Sequence, residues 1–316
     1  MAHLMGIENY EEVVLSGRNI KYQFLTAINK HFQEGMDKHA LKRAGDMDGT
    51  RVFSYADRSG LIDLASAFAN HMKEHHSDIK EIRAVTTAHV QEFLNGKCAT
   101  VSQQTLEQYA SKFRKLEKLV NDTYKSCNVD FHAVVVPVSE KNGGGKVRDQ
   151  MLTQKDFLTL HSRTTNQNLE RGLLLSYACG LRASEVCKLK GSDINIQTNI
   201  IHIADSKGKR SRDVVIPKQY RQEVSALASI DGRVCPVQHE SLQKAFRREL
   251  QKSGLAEQYP NGAFHLCRKA YATNLYQECR DNGMDIQQSL STVSTALGHG
   301  ENRNALMREY ICVPIE

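Results

Sequence analysis

Arg182, Glu185, Lys207, His265, Arg268, His299 and Tyr310 follow one another in the second half of a 316-residue chain. Their types suit one kind of chemistry. Two guanidinium groups can hold both non-bridging oxygens of a phosphodiester and stabilise the charge that grows on a pentavalent phosphorus. A tyrosine, with an ordinary pKa of about 10, becomes an oxygen nucleophile where cations lower the cost of its anion. A lysine on a mobile hairpin can hand the leaving 5′-oxygen its proton. The sequence has no HExxH, no P-loop glycine pattern and no evident carboxylate cluster for Mg²⁺. Phosphoryl transfer here is therefore expected to run with no metal and no cofactor.

Each of these residues alone has a plainer meaning. Arg182 and Glu185 have the spacing of an (i, i+3) ion pair on a helix surface. His265 would cap a helix, Lys207 and the neighbouring Lys209 would be solvated turn residues, and Tyr310 would pack. The functional reading rests on all of them together. Other residues read as structural. His71 and His75 in "HMKEHH" have the i, i+4 spacing of a metal pair, but no third ligand is evident, so no metal is expected. Cys267 needs no role, and Tyr271 and Tyr276 read as core. Lys244, Arg247 and Arg248 in "KAFRREL" could meet phosphate or solvent equally well.

The elements that must position these groups are mainly helical. Residues 18–45 have helical apolar spacing and stop at a glycine. Residues 59–127 read as a bundle, with Thr86 or Thr87 and Ser102 or Thr105 as helix starts. "VVVPVSEKNGGGKVRDQ" has the proline, glycine run and mixed charge of an interdomain linker. Beyond it Thr153 starts a helix, and Gly180 ends a more apolar one. "NIIHIADSKGKRSRDVVIP" alternates, turns at Gly208 and alternates again, as a β-hairpin does. The expected fold is mainly α with a small β-sheet. Residues 1–58 form a helical extension of unknown role, 59–137 a helical-bundle domain, 138–150 a linker and 151–316 a mixed α/β domain.

Net charge is +6. From residue 151 onward Lys and Arg number 22 against 17 Asp and Glu, so the basic excess lies in that half and suits an anionic partner such as nucleic acid. The eight cysteines occur singly, with no CxxC pair. That pattern fits reduced thiols in a cytoplasmic protein. The N-terminus lacks the pattern of a secretory signal, and no stretch is apolar for long enough to cross a membrane.

"GLRASEV", the lysine-bearing hairpin, "HLCRKAYAT", "LGH" and a final tyrosine, in that order, resemble the tyrosine recombinases of the phage integrase family. The resemblance covers roughly residues 59 to 316 and extends to that family's helical core-binding domain. It implies that Arg182 and Arg268 clamp the scissile phosphate, with Glu185 orienting Arg182 and its neighbours. His265 would serve in acid–base or hydrogen-bonding work, and His299 would hydrogen-bond the phosphate. Lys207, with Lys209 as the second choice, would be the general acid. Tyr310 would attack, leaving a 3′-phosphotyrosine and a free 5′-hydroxyl.

The implied partners are double-stranded DNA at specific sites, three further copies in a homo-tetramer, and accessory DNA-bending proteins. The two domains would clamp the duplex in a C-shape, nucleoid-associated when bound. Integration and excision of a mobile element is the expected role, with Xer-like dimer resolution as the near alternative. A non-cleaving DNA-binding regulator and a type IB topoisomerase are the rivals. Two features depart from the family's pattern: the His299–Tyr310 spacing is longer than usual, and the tail after Tyr310 is short. That tail is expected to pair as a strand with a neighbouring copy.

Overall fold

Asparagine, serine and threonine side chains start many of the helices, as the sequence leads one to expect. Asn19 opens α1 (Ile20–Lys30), Ser54 opens α3 (Tyr55–His75) and Ser102 opens α5 (Gln103–Thr123), each accepting a backbone N–H from the first turn. Between them lie α2 (Lys38–Arg43) and α4 (Thr87–Gly96), the latter capped by Thr86. The computed structural model describes residues 19–36, 38–45, 49–141, 150–204, 206, 211–260, 262–301 and 303–315. The chain divides into two units, Met1–Gly144 and Gly145–Glu316.

In the first unit the buried positions recur at helical spacing: Ile20, Phe24, Ala27 and Ile28 on α1, and Leu61, Leu64, Ala65, Phe68 and Met72 on α3. Phe68 sits at the centre, edge-on to Phe24, Phe93 and Phe113 at ring separations of 6.2, 5.5 and 5.2 Å. Two expectations change here. Residues 18–45 are not one helix, because the backbone leaves α1 at His31. The His31 carbonyl accepts from the Val52 N–H, and the Gln33 N–H donates to the Val52 carbonyl, both at 2.9 Å. The boundary drawn at residue 58 falls inside α3. The residues before it do not form a separate extension, because α1 packs on α3 and α5 and shares their core.

The second unit runs α6 (Gln154–Arg163), α7 (Gln167–Cys179), α8 (Ala183–Val186), β1 (Ile194–Asn195), β2 (Ile200–Ile203), β3 (Arg212–Val215), α9 (Arg221–Ala226), α10 (His239–Lys252), α11 (His265–Asp281), α12 (Ile286–Ala296) and α13 (Asn304–Met307). Thr153 caps α6 as expected. Nine of the thirteen residues of α7 are buried, as suits a helix enclosed by others, and α6, α10 and α11 pack around it.

The three strands form an antiparallel sheet in the order β1-β2-β3. The expected hairpin is β2 with β3. β1 is an addition, joined to β2 by a turn in which the Asn195 side chain accepts from the N–H groups of Gln197 and Thr198. On the hairpin Ile201, Ile203 and Val214 point inward, while His202 and Asp213 pair on the outer face at 2.7 Å. A second apolar cluster of Ala272, Tyr276, Leu290, Val293, Leu297, Met307 and Ile311 joins α11, α12 and α13. No helix among the described residues is long and apolar enough to cross a membrane.

Candidate active site

Gly180 ends α7 in the left-handed region at φ 66°, and a Cβ there would also lie 2.4 Å from the Tyr271 ring. Only glycine meets both conditions. The chain then turns directly into Arg182, the N-cap of α8, whose backbone N–H donates to Glu185 Oε2 at 2.8 Å. The Arg182 guanidinium is held on two sides. Nη1 donates to Glu185 Oε1 (2.8 Å) and Ser206 Oγ (3.0 Å), and Nη2 donates to the Leu297 carbonyl (3.3 Å). Nη2 also lies 3.2 Å from His299 Nε2. A guanidinium can only donate, which makes His299 Nε2 the acceptor and leaves the proton of the neutral ring on Nδ1.

Glu185 is 3 % exposed and serves more than Arg182. Arg212, from β3, grips it bidentately with Nη1 to Oε1 at 2.7 Å and Nη2 to Oε2 at 2.8 Å, and the Ser206 hydroxyl donates to Oε1 at 2.6 Å. Burial alone would push this carboxyl up. The Arg212 bonds and charge, with the Ser206 hydroxyl and the Arg182 N–H, outweigh it and hold the group well below the usual carboxylate range. Arg212 and Ser206 were not singled out in the sequence. Their only signal is the hairpin register, in which Ile203 faces Arg212 and brings this one cation of the "KGKRSR" run back to Glu185.

His265 and Arg268 stand three apart on the first turns of α11. Arg268 is fully buried. Its Nη1 donates to the Gly180 carbonyl and its Nη2 to Leu297 O, while its Nε has no hydrogen-bond partner among the described residues. Burial, and then the charge of Arg182, lower its pKa to about 10, with Tyr310 and Glu185 opposing the shift, so it stays charged at neutral pH. Arg182 and Arg268 therefore both donate to one backbone oxygen, Leu297 O. Crowding of the His265 ring, together with the charges of Arg268, Lys269 and Arg182, lowers its pKa to about 4. His265 is solvent-exposed, so the cationic neighbours are the firmer cause, and they leave the imidazole neutral at pH 7.

His299 is set between Gly298 and Gly300, at φ 71° and 79°, in the loop after α12. Tyr310 closes the group. Its ring lies 5.0 Å from the His265 ring and 5.5 Å from the His299 ring, with the Arg268 Cζ 5.9 Å from its centroid. The structure thus brings Arg182, Glu185, His265, Arg268, His299 and Tyr310 together. Lys207 and Lys209, with the turn at Gly208, lie outside the described residues.

The tail does not extend away from its own unit. Ile311 is buried in the α11–α13 cluster, Val313 and Ile315 pack against it, and the Cys312 N–H donates to Thr273 Oγ1 at 3.0 Å. Cys267 is fully buried, and burial pushes its thiol far up, in keeping with a structural place. Tyr276 is core, as expected. Lys244, Arg247 and Arg248 all present exposed surface on α10.

Gly180→Ala tests the turn that sets both arginines. Strain at positive φ costs about 1–3 kcal/mol, and the clash with Tyr271 adds to it. The expected result is a lowered urea midpoint, checked by denaturation in parallel with the parent chain.

Comparison with known proteins places this geometry. Residues 150–311 match the model of the phage integrase family. Tyrosine recombinase XerA of Thermococcus kodakarensis is 30 % identical over 137 residues, which is 40 % of this chain. The chain spans 45 % of the length of that relative. Among solved structures, XerH site-specific recombinase bound to its palindromic difH substrate superposes with a TM-score of 0.62 at 13 % identity, covering 93 % of this chain and 91 % of that one. The Tn1549 transposon integrase in complex with a circular-intermediate DNA gives 0.61 at 13 % identity, covering 93 % and 95 %. These two likenesses concern the fold, and the match over 150–311 concerns descent. The chain belongs to the phage integrase family.

Proposed function

We propose that this protein is a site-specific recombinase that cuts and rejoins DNA strands through a 3′-phosphotyrosine at Tyr310, acting as the integrase of a mobile element. The observation that carries this reading is the convergence of Arg182 and Arg268 on one carbonyl oxygen, with the Arg268 guanidinium beside the Tyr310 ring. Two fixed cations a few ångströms apart suit a phosphodiester whose non-bridging oxygens gain charge as the nucleophile arrives. Tyr310 Oη bonds to phosphorus as the bond from phosphorus to the 5′-oxygen breaks. The tyrosine proton passes to His265, which is neutral at pH 7, and the leaving 5′-oxygen takes a proton from the general acid.

Lys207 is the proposed acid. Ser206 is tied to Glu185, and Lys207 is one residue from that anchor where Lys209 is three. Attack by a 5′-hydroxyl from a second duplex reverses the step and releases Tyr310. The phosphodiester energy stays in the covalent link, so neither ATP nor a metal ion enters the balance.

The partner is double-stranded DNA carrying specific sites, bound by four copies to exchange two duplexes, with accessory DNA-bending proteins. Binding weakens steeply with salt because the second unit meets phosphates through its excess cations. The place of action is the cytoplasm, on the nucleoid.

The test is capture. The protein is expressed in cells bearing the candidate element, denatured and purified, and the DNA still attached is sequenced. Discrete element ends joined to the protein support the integrase. Chromosomal dimer-resolution sites in their place support the Xer-like role. If the denatured protein is bare while native capture still recovers specific DNA, the non-cleaving regulator takes the lead. Relaxation of any supercoiled plasmid by the lone protein points to the topoisomerase.

A further inference from the structure

Away from the site just described, in the first unit, four histidines and a glutamate crowd the junction of α3 and α4. His71 lies on the last turns of α3, with its side chain 16 % exposed and its ring wedged between Phe68 and Phe93. Its Nε2 is buried and makes no hydrogen bond among the described residues, yet it lies 3.6 Å from Glu92 Oε1. His76 is the C-cap of α3, and its Nε2 lies 2.8 Å from the other oxygen, Glu92 Oε2. The three ligand atoms fall within 4.8 Å of one another. Behind them, the His75 ring is 4.6 Å from His71, and the His89 ring is 4.6 Å from His76. The sequence spacing pointed to His71 with His75. In the structure the groups that converge with His71 are His76 and Glu92.

A hydrogen bond accounts for His76 and Glu92 but not for His71. A separation of 3.6 Å is too long for a hydrogen bond. It is close to the roughly 3.3 Å between two ligand atoms that each sit about 2.0–2.1 Å from a tetrahedral zinc ion. We propose that His71, His76 and Glu92 form a binding site for a divalent cation of the zinc class. The ion would clip the end of α3 to α4, with His75, His89 or water as the fourth ligand. Two imidazoles and one carboxylate are a borderline donor set that suits Zn²⁺ and not Mg²⁺ or Ca²⁺. Both rings must be neutral to bind. Thr86 fixes the neighbouring His89 by donating its backbone N–H to Nδ1 at 3.0 Å. The site's role is structural. It closes the loop between the two helices and takes no part in the phosphoryl chemistry of the second unit.

The test uses the full chain without a polyhistidine tag, stripped with EDTA, and ZnCl₂ as the probe. Calorimetric titration should give one equivalent bound with submicromolar affinity, and zinc should raise the thermal midpoint. X-ray absorption should show a nitrogen and oxygen shell with imidazole scattering. Glu92→Gln, at a half-exposed carboxylate, and His76→Asn should each weaken binding at least about tenfold, while melting close to the parent chain in EDTA. His132→Asn, in the second acidic and histidine group of Glu117, Asp130 and His132, should bind as the parent does. The proposal is overturned by a sulfur shell from the free cysteines, by parent-like binding in both ligand variants, by loss of binding in His132→Asn alone, or by no zinc uptake at all.

Discussion

On the proposed mechanism, Tyr310→Phe should bind DNA and fail to cut it. The substitution removes one oxygen and leaves the ring that meets His265, His299 and Arg268. Tyr310 Oη makes no hydrogen bond to a described residue, so no buried partner is orphaned and stability should stay within about 0.5 kcal/mol of the parent. Covalent adduct formation should fall by about 10³-fold or more, because no other hydroxyl among the described residues is held against the His265, His299 and Arg268 side chains. Tyr271 on α11 is an alternative hydroxyl, but burial pushes it up to about 12. The measurement is a nicked duplex that traps the cleaved end, read as protein–DNA adduct on a denaturing gel, with gel-shift binding in parallel. Adduct at the parent level from Tyr310→Phe would remove Tyr310 as the nucleophile and the proposed mechanism with it.

Glu185→Gln is the second large effect, and it acts through the arginines. The carboxylate accepts from Arg182 and Arg212 guanidinium groups, from Ser206 and from a backbone N–H, and Arg268 lies 4.0 Å away. Neutralising it leaves three guanidinium groups with no buried counter-charge. Removing one partner of a buried pair costs about 3–5 kcal/mol, and cleavage falls with it because Arg182 loses its support.

The pH dependence has a definite sign. A folded-state pKa held below the ordinary value of about 4.3 stabilises fully above that value and loses its contribution as pH falls through the range below it. The parent should therefore lose stability steeply on acidification from pH 5 to pH 3, and Glu185→Gln should show a shallower slope over the same window. Thermal melts across that range decide it; equal slopes would show that Glu185 is not the group that titrates.

How much of this was legible beforehand differs from residue to residue. The convergence of Arg182, His265, Arg268, His299 and Tyr310 could be read from ordered local motifs, because each is carried by a helix end or a tight turn with its own signal, such as Gly180 or the glycines around His299. Arg212 could not. Four cations crowd its stretch, and only the pairing of β2 with β3 selects the one that faces Glu185. His76 was hidden for a related reason. Five residues from His71 it would miss the shared face of a continuous helix, and it reaches Glu92 because α3 ends there. The place of α1 was equally unreadable: an amphipathic stripe announces that a helix buries a face, not which neighbours cover it. β1 is two residues long and too short to alternate.

The two arginines take their spacing from main-chain oxygens, Gly180 O for one and Leu297 O for both. A carbonyl is present whatever side chain its residue carries. Position 297 is therefore free to drift among apolar residues that fill the α11–α13 cluster, and the charge separation survives so long as the backbone path does. What selection must guard there is a shape, inherited through glycine turns and packing, and a search for invariant letters at 297 would overlook it.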